Sequence, residues 1–119
     1  MKRNDDLLRE LLFRLEAEDD YLSVAFGITG SSSDKERAEY GHLLLLADAG
    51  FVELTGKHSD VVRLTNAGHD FLSAVRLDTT WNQTKKMASD AGLGTVKVLF
   101  DIAVAIGKKK LKDVIGVDF

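Results

Sequence analysis

The chain of 119 residues contains neither cysteine nor proline. The lack of cysteine excludes disulfides and thiolate chemistry, and it is compatible with a reducing cytosol. The lack of proline suits a compact, helix-rich domain without a rigid linker. These two absences point away from secreted, disulfide-stabilised scaffolds and from segmented proteins with stiff spacers.

Long apolar segments are missing as well. The longest stretch, Val96–Gly107, is interrupted by Lys97 and Asp101 and is far shorter than the ~20 residues that span a bilayer. Met1–Asp6 is polar, and no apolar segment of signal-peptide type follows it. We therefore expect a cytoplasmic protein that does not bind membranes.

Motifs for catalysis, metal binding and cofactor binding are also absent. His42 and His69 stand beside apolar residues, and neither belongs to an HExxH pattern or another metal-ligand spacing. Ser31–Ser33 follows a glycine but lacks the Gly-Lys-Ser/Thr ending of a phosphate-binding loop. We expect no enzyme activity, no catalytic residue, no metal, no cofactor and no small-molecule substrate.

Charge is present but unevenly distributed. The net charge is −3, with 45% hydrophobic and 29% charged residues, which is typical of one ordinary globular domain. Residues 1–60 carry 7 Lys and Arg against 13 Asp and Glu, whereas residues 61–119 carry 9 against 6. An acidic first half and a basic second half indicate either a bipolar surface or two separate contacts.

The first thirty residues contain patterns for a helix and a strand. Leucines that recur on one helical face predict a helix over Asn4–Ala17, with Asn4 as its N-cap. The acidic run that follows is expected to be solvated. Residues that favour strands then predict a strand over Tyr21–Ile28.

A second helix is predicted from a capping box. Ser33 and Glu36 have the spacing in which each side chain accepts a hydrogen bond from the backbone of the other residue. The helix is expected to run to about Ala49 and to end at Gly50 in a left-handed conformation. Its second half is apolar nearly all round, so we expect that half to be buried.

A hairpin and a third helix follow. Phe51–Thr55 and Val61–Thr65 alternate like strands and are joined by the glycine-containing loop Gly56–Asp60. Thr65 is a suitable cap for the next helix. The core face of that helix is expected to consist of four residues at helical spacing: Gly68, Phe71, Leu72 and Val75.

Two more helices complete the chain. One is predicted from Asp78 or Thr79 to Ala88, and Gly92 and Gly94 form a joint after it. The last helix is predicted over Thr95–Gly107. The basic run Lys108–Lys112 and a short tail are expected to follow that helix.

Two motifs carry a resemblance to a known family. The segments EYGHLLLLADAGFVE and VVRLTNAGHDFLSAVRLDTTW, preceded by a short leucine-rich helix, resemble a family of small uncharacterised winged-helix proteins found largely in phages, prophages and their hosts. The resemblance covers roughly Lys2–Ala88. It implies a winged-helix fold and a mobile-element context but no catalytic residue. The matching positions are Tyr40, His42, Leu43, Leu64, Thr65, Gly68, His69, Phe71, Leu72, Arg76, Asp78 and Trp81.

These patterns predict an α+β fold, namely a winged helix-turn-helix-like domain over residues 1–91 with a small antiparallel sheet. Residues 92–119 add a C-terminal apolar helix and a basic tail. Such a domain predicts binding to double-stranded DNA as a transcription regulator. A plain core helix and a plain surface hairpin are the alternatives to a recognition helix and a wing. The residues expected to contact DNA are Lys35, Arg37, Tyr40, Lys57, His58, Arg63, Lys108, Lys109 and Lys110.

The last helix also suggests a partner. Its almost fully apolar surface must be covered by the rest of the chain, by a second protomer in a dimer or by another protein. An alternative function is that of a protein-interaction module, for instance a phage inhibitor of a host or defence protein. Its acidic surface would comprise Glu16 to Asp20 with Asp34, Glu36 and Glu39. The residues expected at an oligomer or partner interface are Val96, Leu99, Phe100, Ala103 and Ile106.

Overall fold

The structure, a computed structural model, describes residues 1–25 and 28–116. It has five helices and a three-stranded antiparallel sheet, which confirms the α+β class. No helix in the described part of the chain has both the length and the apolar character needed to cross a membrane. The helices are α1 (Asp5–Ala17), α2 (Asp34–Asp48), α3 (Asn66–Ala74), α4 (Asp78–Ala91) and α5 (Val96–Ile115). The strands are β1 (Ser23–Val24), β2 (Val52–Thr55) and β3 (Val61–Leu64).

The chain divides into two compact units, unit 1 (Met1–His69) and unit 2 (Asp70–Phe119). Unit 1 contains α1, α2 and the sheet, and unit 2 contains α4 and α5. The predicted boundary after residue 91 lies inside unit 2, between two helices that pack on each other.

Helix α1 begins as its sequence predicts. The side chain of Asn4 accepts hydrogen bonds from the backbone N–H groups of Asp6 and Leu7, at 3.0 and 3.2 Å. Leu8 and Leu12 are fully buried, which places the leucine stripe of α1 against α2 and the sheet. The cap and the buried stripe together fix where α1 starts and which face it turns inward.

Strand β1 is shorter than predicted. Only Ser23–Val24 forms a ladder, in which Ser23 lies opposite Val62 of β3. The backbone N–H of Leu22 donates to the carboxylate of Asp20 at 3.1 Å, so the residues before the ladder are held in a bend. Phe26 and Gly27, which the prediction included, lie outside the described residues.

Helix α2 confirms the predicted capping box. Ser33 Oγ accepts from the N–H of Glu36 at 3.1 Å, and the Glu36 carboxylate accepts from the N–H of Ser33 at 3.1 Å. Gly50 has the expected positive φ, +84°. The expectation that the whole second half is buried was wrong, because Leu44 is 43% exposed.

The sheet has the order β1-β3-β2. Residues 56–60 join β2 to β3, as predicted, and Val52 lies opposite Leu64. Thr65 Oγ1 donates to the carbonyl of Gly50 at 2.6 Å and accepts from the N–H of Gly68 at 3.0 Å, which confirms it as the cap of α3. The single hydroxyl of Thr65 therefore ties the end of α2 to the beginning of α3.

An aromatic cluster forms the core of unit 2. Phe71 is fully buried, meets Trp81 edge-on at a centroid distance of 6.4 Å and meets Phe100 at 5.7 Å. The predicted core face of α3 is buried throughout. Burial of this cluster and the T-shaped ring contact stabilise unit 2.

Helix α5 is longer than predicted. It does not end at Gly107 but continues through the lysine run to Ile115, and Gly116 ends it with φ +69°. Lysine is a good helix former, so the lysine run continues the helix beyond one internal glycine, whose cost is about 1 kcal/mol. Helix α4 likewise runs three residues beyond the predicted Ala88, to Ala91 before Gly92.

Candidate functional site

Helix α2 and the β2–β3 loop, the predicted recognition helix and wing, are in contact. The hydroxyl of Tyr40 donates to the carbonyl of Ser59 in the loop at 3.2 Å. Arg37, one helical turn before Tyr40, is exposed and donates to the carbonyl of Thr29 at 2.9 Å. The structure therefore brings this part of the predicted DNA-contacting set together on one end of unit 1.

One of the two cations of the predicted wing, Arg63, is paired with a carboxylate. Arg63 lies directly opposite Glu53 in the β2–β3 ladder, and its guanidinium donates to both carboxylate oxygens, at 3.2 and 3.4 Å. Lys35, Lys57 and His58 are exposed and form no hydrogen bond or ion pair with the residues that the structure describes. Three side chains thus remain available to a negatively charged ligand at this end.

The predicted basic tail belongs to unit 2. Lys108 and Lys109 are exposed, and Lys110 Nζ donates to Thr80 Oγ1 at 2.8 Å. All three lie on α5 rather than on a tail that follows it, which corrects their predicted setting.

The residues predicted for an oligomer interface are covered within the chain. Val96, Leu99 and Ala103 are buried, Phe100 and Ile106 are half-buried, and α5 packs against α4. Three of the five side chains are thus covered by the chain itself, which was one of the alternatives for this helix. The exposed apolar side chains of α5 are further along the helix.

His42 is part of the core of unit 1. It is 1% exposed, its Nε2 accepts from the backbone N–H of Asn4 at 2.8 Å, and its Nδ1 donates to the carbonyl of Ala38 at 2.7 Å. Both ring nitrogens are therefore used: Nε2 joins the N-cap of α1 to α2, and Nδ1 bonds the preceding turn of α2 itself. Among the described residues no group of three histidine, aspartate or glutamate side chains is placed to hold a metal ion.

Two adjoining clefts of unit 1 were not predicted. A cleft of about 210 Å³ opens between α1, β1 and α2. Its floor is apolar, and its rim carries charged residues from both helices together with Tyr40. A second cleft of about 220 Å³ shares Leu15, Glu18 and Ser23 with the first. The acidic residues that line the two clefts are Glu16, Glu18, Asp19, Asp20, Glu36 and Glu39, hereafter the acidic surface.

Exposed apolar side chains stand among these carboxylates. Tyr21 lines the second cleft and is 77% exposed, and Val24 lines the first and is 69% exposed. An aromatic and a branched aliphatic side chain that protrude beside a charged rim are typical of a protein-interaction surface.

Two charged groups that line the first cleft have shifted pKa values. Hydrogen bonds from the backbone and then the hydroxyl of Ser33 lower the pKa of Glu36. Arg14 bonds Glu10 and Glu39, both at 3.0 Å, and these two partners raise the pKa of its guanidinium. Arg14 thus forms ion pairs with Glu39 of the acidic surface and with Glu10 outside it.

Comparison with known proteins gives a family. The model of a family described as "Hypothetical protein (DUF2513)" matches residues 2–94. The chain belongs to this family. A relative from Haemophilus influenzae (strain ATCC 51907 / DSM 11121 / KW20 / Rd), described as an uncharacterized protein, is 38% identical over 93 residues, which are 71% of this chain and 76% of the relative. No solved structure matches the chain. The DUF2513 match ends before α5, so the acidic surface lies inside the family region and α5 lies outside it.

Proposed function

We propose that unit 1 is a winged-helix-like binding domain. The order α1, β1, α2, β2, β3 and the sheet order β1-β3-β2 support this assignment. In it, α2 takes the place of the recognition helix and residues 56–60 form the wing. The segment between β1 and α2 is long enough for a turn but too short for another helix, so the helix-turn-helix motif is incomplete.

We further propose that this domain is a non-enzymatic protein-interaction module that binds through its acidic surface. The observation that carries this proposal is the exposure of Tyr21 and Val24 among the carboxylates of two adjoining clefts. The apolar side chains supply the area that contact with a partner would bury. The carboxylates select and steer a partner with a basic surface. A phage factor that blocks a host or defence protein fits this description.

Charge favours a protein over DNA as the ligand of unit 1. Residues 1–69 carry 8 Lys and Arg against 13 Asp and Glu, a net charge of −5. Phosphate groups need a clear excess of cations, since most of the affinity for DNA comes from charge neutralisation. Arg63, the central cation of the hairpin, already pairs with Glu53.

A DNA-binding regulator is the second candidate, and one contact favours it. The hydrogen bond from Tyr40 to Ser59 holds the wing loop beside α2. That loop carries Lys57 and His58, and α2 carries Lys35 in its first turn. A dimer that presents two such ends would follow the usual geometry of winged-helix regulators.

Fluorescence anisotropy separates the two candidates. The full chain is titrated into a labelled peptide of alternating lysine and leucine and, separately, into a labelled random duplex. We expect the peptide to bind, and we expect Glu18→Lys with Asp19→Lys to weaken binding at least about 10-fold. The matched control, Asp48→Lys with Asp101→Lys, makes the same charge change at exposed positions outside the clefts.

The opposite pattern would support the DNA candidate. In that case the duplex binds, its affinity falls linearly on a logarithmic salt scale, and Lys35→Glu with Lys57→Glu abolishes binding. If the peptide does not bind even at low salt, the protein-interaction proposal is refuted.

A further inference from the structure

The last turns of α5 form an exposed apolar surface on unit 2. Leu111, Val114 and Ile115 are 42%, 81% and 55% exposed. Leu77, at 62% exposure, lies with Leu111 and Val114 along a groove of about 430 Å³. Apolar side chains that are this exposed and this close together indicate a surface that is covered in a complex.

The same turns are basic. Residues 104–116 contain four lysines and one aspartate, which gives a local charge of +3. Lys108 and Lys109 form no ion pair with the residues that the structure describes. Two copies of this end would repel each other, so its complement must be acidic as well as apolar.

The acidic surface of unit 1 has both of those properties. It combines six carboxylates with the exposed Tyr21 and Val24. We propose that the end of α5, residues 108–115, docks on the acidic surface of a second copy of this chain. This inference rests on the function proposed above and names the partner of that same surface. Two copies that exchange their α5 ends form a closed pair with two identical contacts.

Sedimentation velocity tests this self-association. We expect the full chain to form a dimer at low salt and to dissociate at high salt, since ion pairs at a rim are screened. Lys108→Glu with Lys109→Glu should raise the dissociation constant at least about 10-fold. Val114→Asp should also raise the dissociation constant. Because Val114 is exposed, this substitution should leave the fold intact. Lys2→Glu with Lys97→Glu makes the same charge change at other exposed positions and should leave the dimer intact.

Mixing two charge variants tests the same contact through a gain of association. The Glu18→Lys, Asp19→Lys chain and the Lys108→Glu, Lys109→Glu chain should each be monomeric alone. Mixed together they should associate, because the unchanged α5 end of the first chain then meets the unchanged acidic surface of the second. A mixture that stays monomeric would overturn the inference, as would a dimer that is indifferent to both reversals.

A peptide-binding experiment distinguishes failure of the self-association from failure of the proposed function. A labelled peptide with the sequence of residues 104–116 is titrated with the full chain and with the lysine–leucine peptide as competitor. A monomeric chain that binds the lysine–leucine peptide but not the peptide of residues 104–116 refutes self-association and keeps the interaction module. A chain that binds neither peptide refutes both.

Discussion

Arg63 of β3 and Glu53 of β2 lie directly opposite each other in the hairpin and form a two-pronged ion pair with nitrogen–oxygen distances of 3.2 and 3.4 Å. This pair engages one of the cations that a DNA-binding wing would use. Side-chain exposures of 38% and 51% mean that solvent screens the attraction.

A double-mutant cycle with Glu53→Gln and Arg63→Gln measures that pair. We expect a coupling free energy of about 0.2–1 kcal/mol in urea unfolding, which falls as salt is added. A coupling that does not respond to salt would show that the pair is not the solvent-exposed contact described here.

His42 links two helices, so its removal should be costly. His42→Ala leaves the N–H of Asn4 without its acceptor and opens a cavity under α1. We expect the free energy of unfolding to drop by about 3 kcal/mol. The control is His69→Ala, an exposed residue whose loss should change stability by less than about 0.5 kcal/mol. Equal effects of the two substitutions would contradict the structural role of His42.

Gly68 allows α3 to approach the residue that precedes β2. A Cβ at this position would overlap the backbone carbonyl oxygen of Phe51, which cannot move aside like a flexible side chain. Gly68→Ala should therefore lower stability by about 1–3 kcal/mol. Gly107→Ala, in α5, has open space around its Cβ and should raise stability by about 0.5–1 kcal/mol. Thermal melts of the two variants should shift in opposite directions.

Glu36 gives the capping box a pH dependence. Because the pKa of Glu36 is below its ordinary value of 4.5 in the folded chain, its contribution to stability is present above that value. The contribution is lost as pH falls through the lowered folded pKa. Glu36→Gln retains an acceptor for the cap but does not titrate. Melting temperatures recorded from neutral to acidic pH should converge for the two proteins at low pH, and parallel curves would contradict the assignment.

Local chemistry explains which elements the sequence predicts well. Ser33 with Glu36, Gly50 and Thr65 act on backbone groups within a few residues, so their roles in starting and ending helices are readable without tertiary structure. The sequence predicts the end of α5 too early, because Gly107 resembles a helix terminator although the lysines after it favour a helix. The sequence predicts a longer strand β1 than the structure shows, because β-propensity takes no account of the bend that Asp20 stabilises.

The candidate site depends on contacts between elements, which are harder to predict. The pairing of Glu53 with Arg63 follows from the five-residue loop, which fixes the hairpin register, and could have been derived. The contact from Tyr40 to Ser59 joins residues that are nineteen positions apart, so it could not have been derived from the sequence. The two clefts exist because α1, β1 and α2 meet, and the only sequence signal for them was the recurrence of carboxylates between Glu16 and Glu39.

Nuclear magnetic resonance can locate the surface at which unit 1 binds its ligand. Amide signals of the ¹⁵N-labelled chain are followed while the lysine–leucine peptide and, in a second sample, random duplex DNA are added. We predict that the peptide shifts signals at the cleft residues, including Leu15, Tyr21 and Val24, and that the duplex leaves the spectrum unchanged. Shifts confined to Lys35, Lys57 and His58 on addition of duplex, with none from the peptide, would contradict the account.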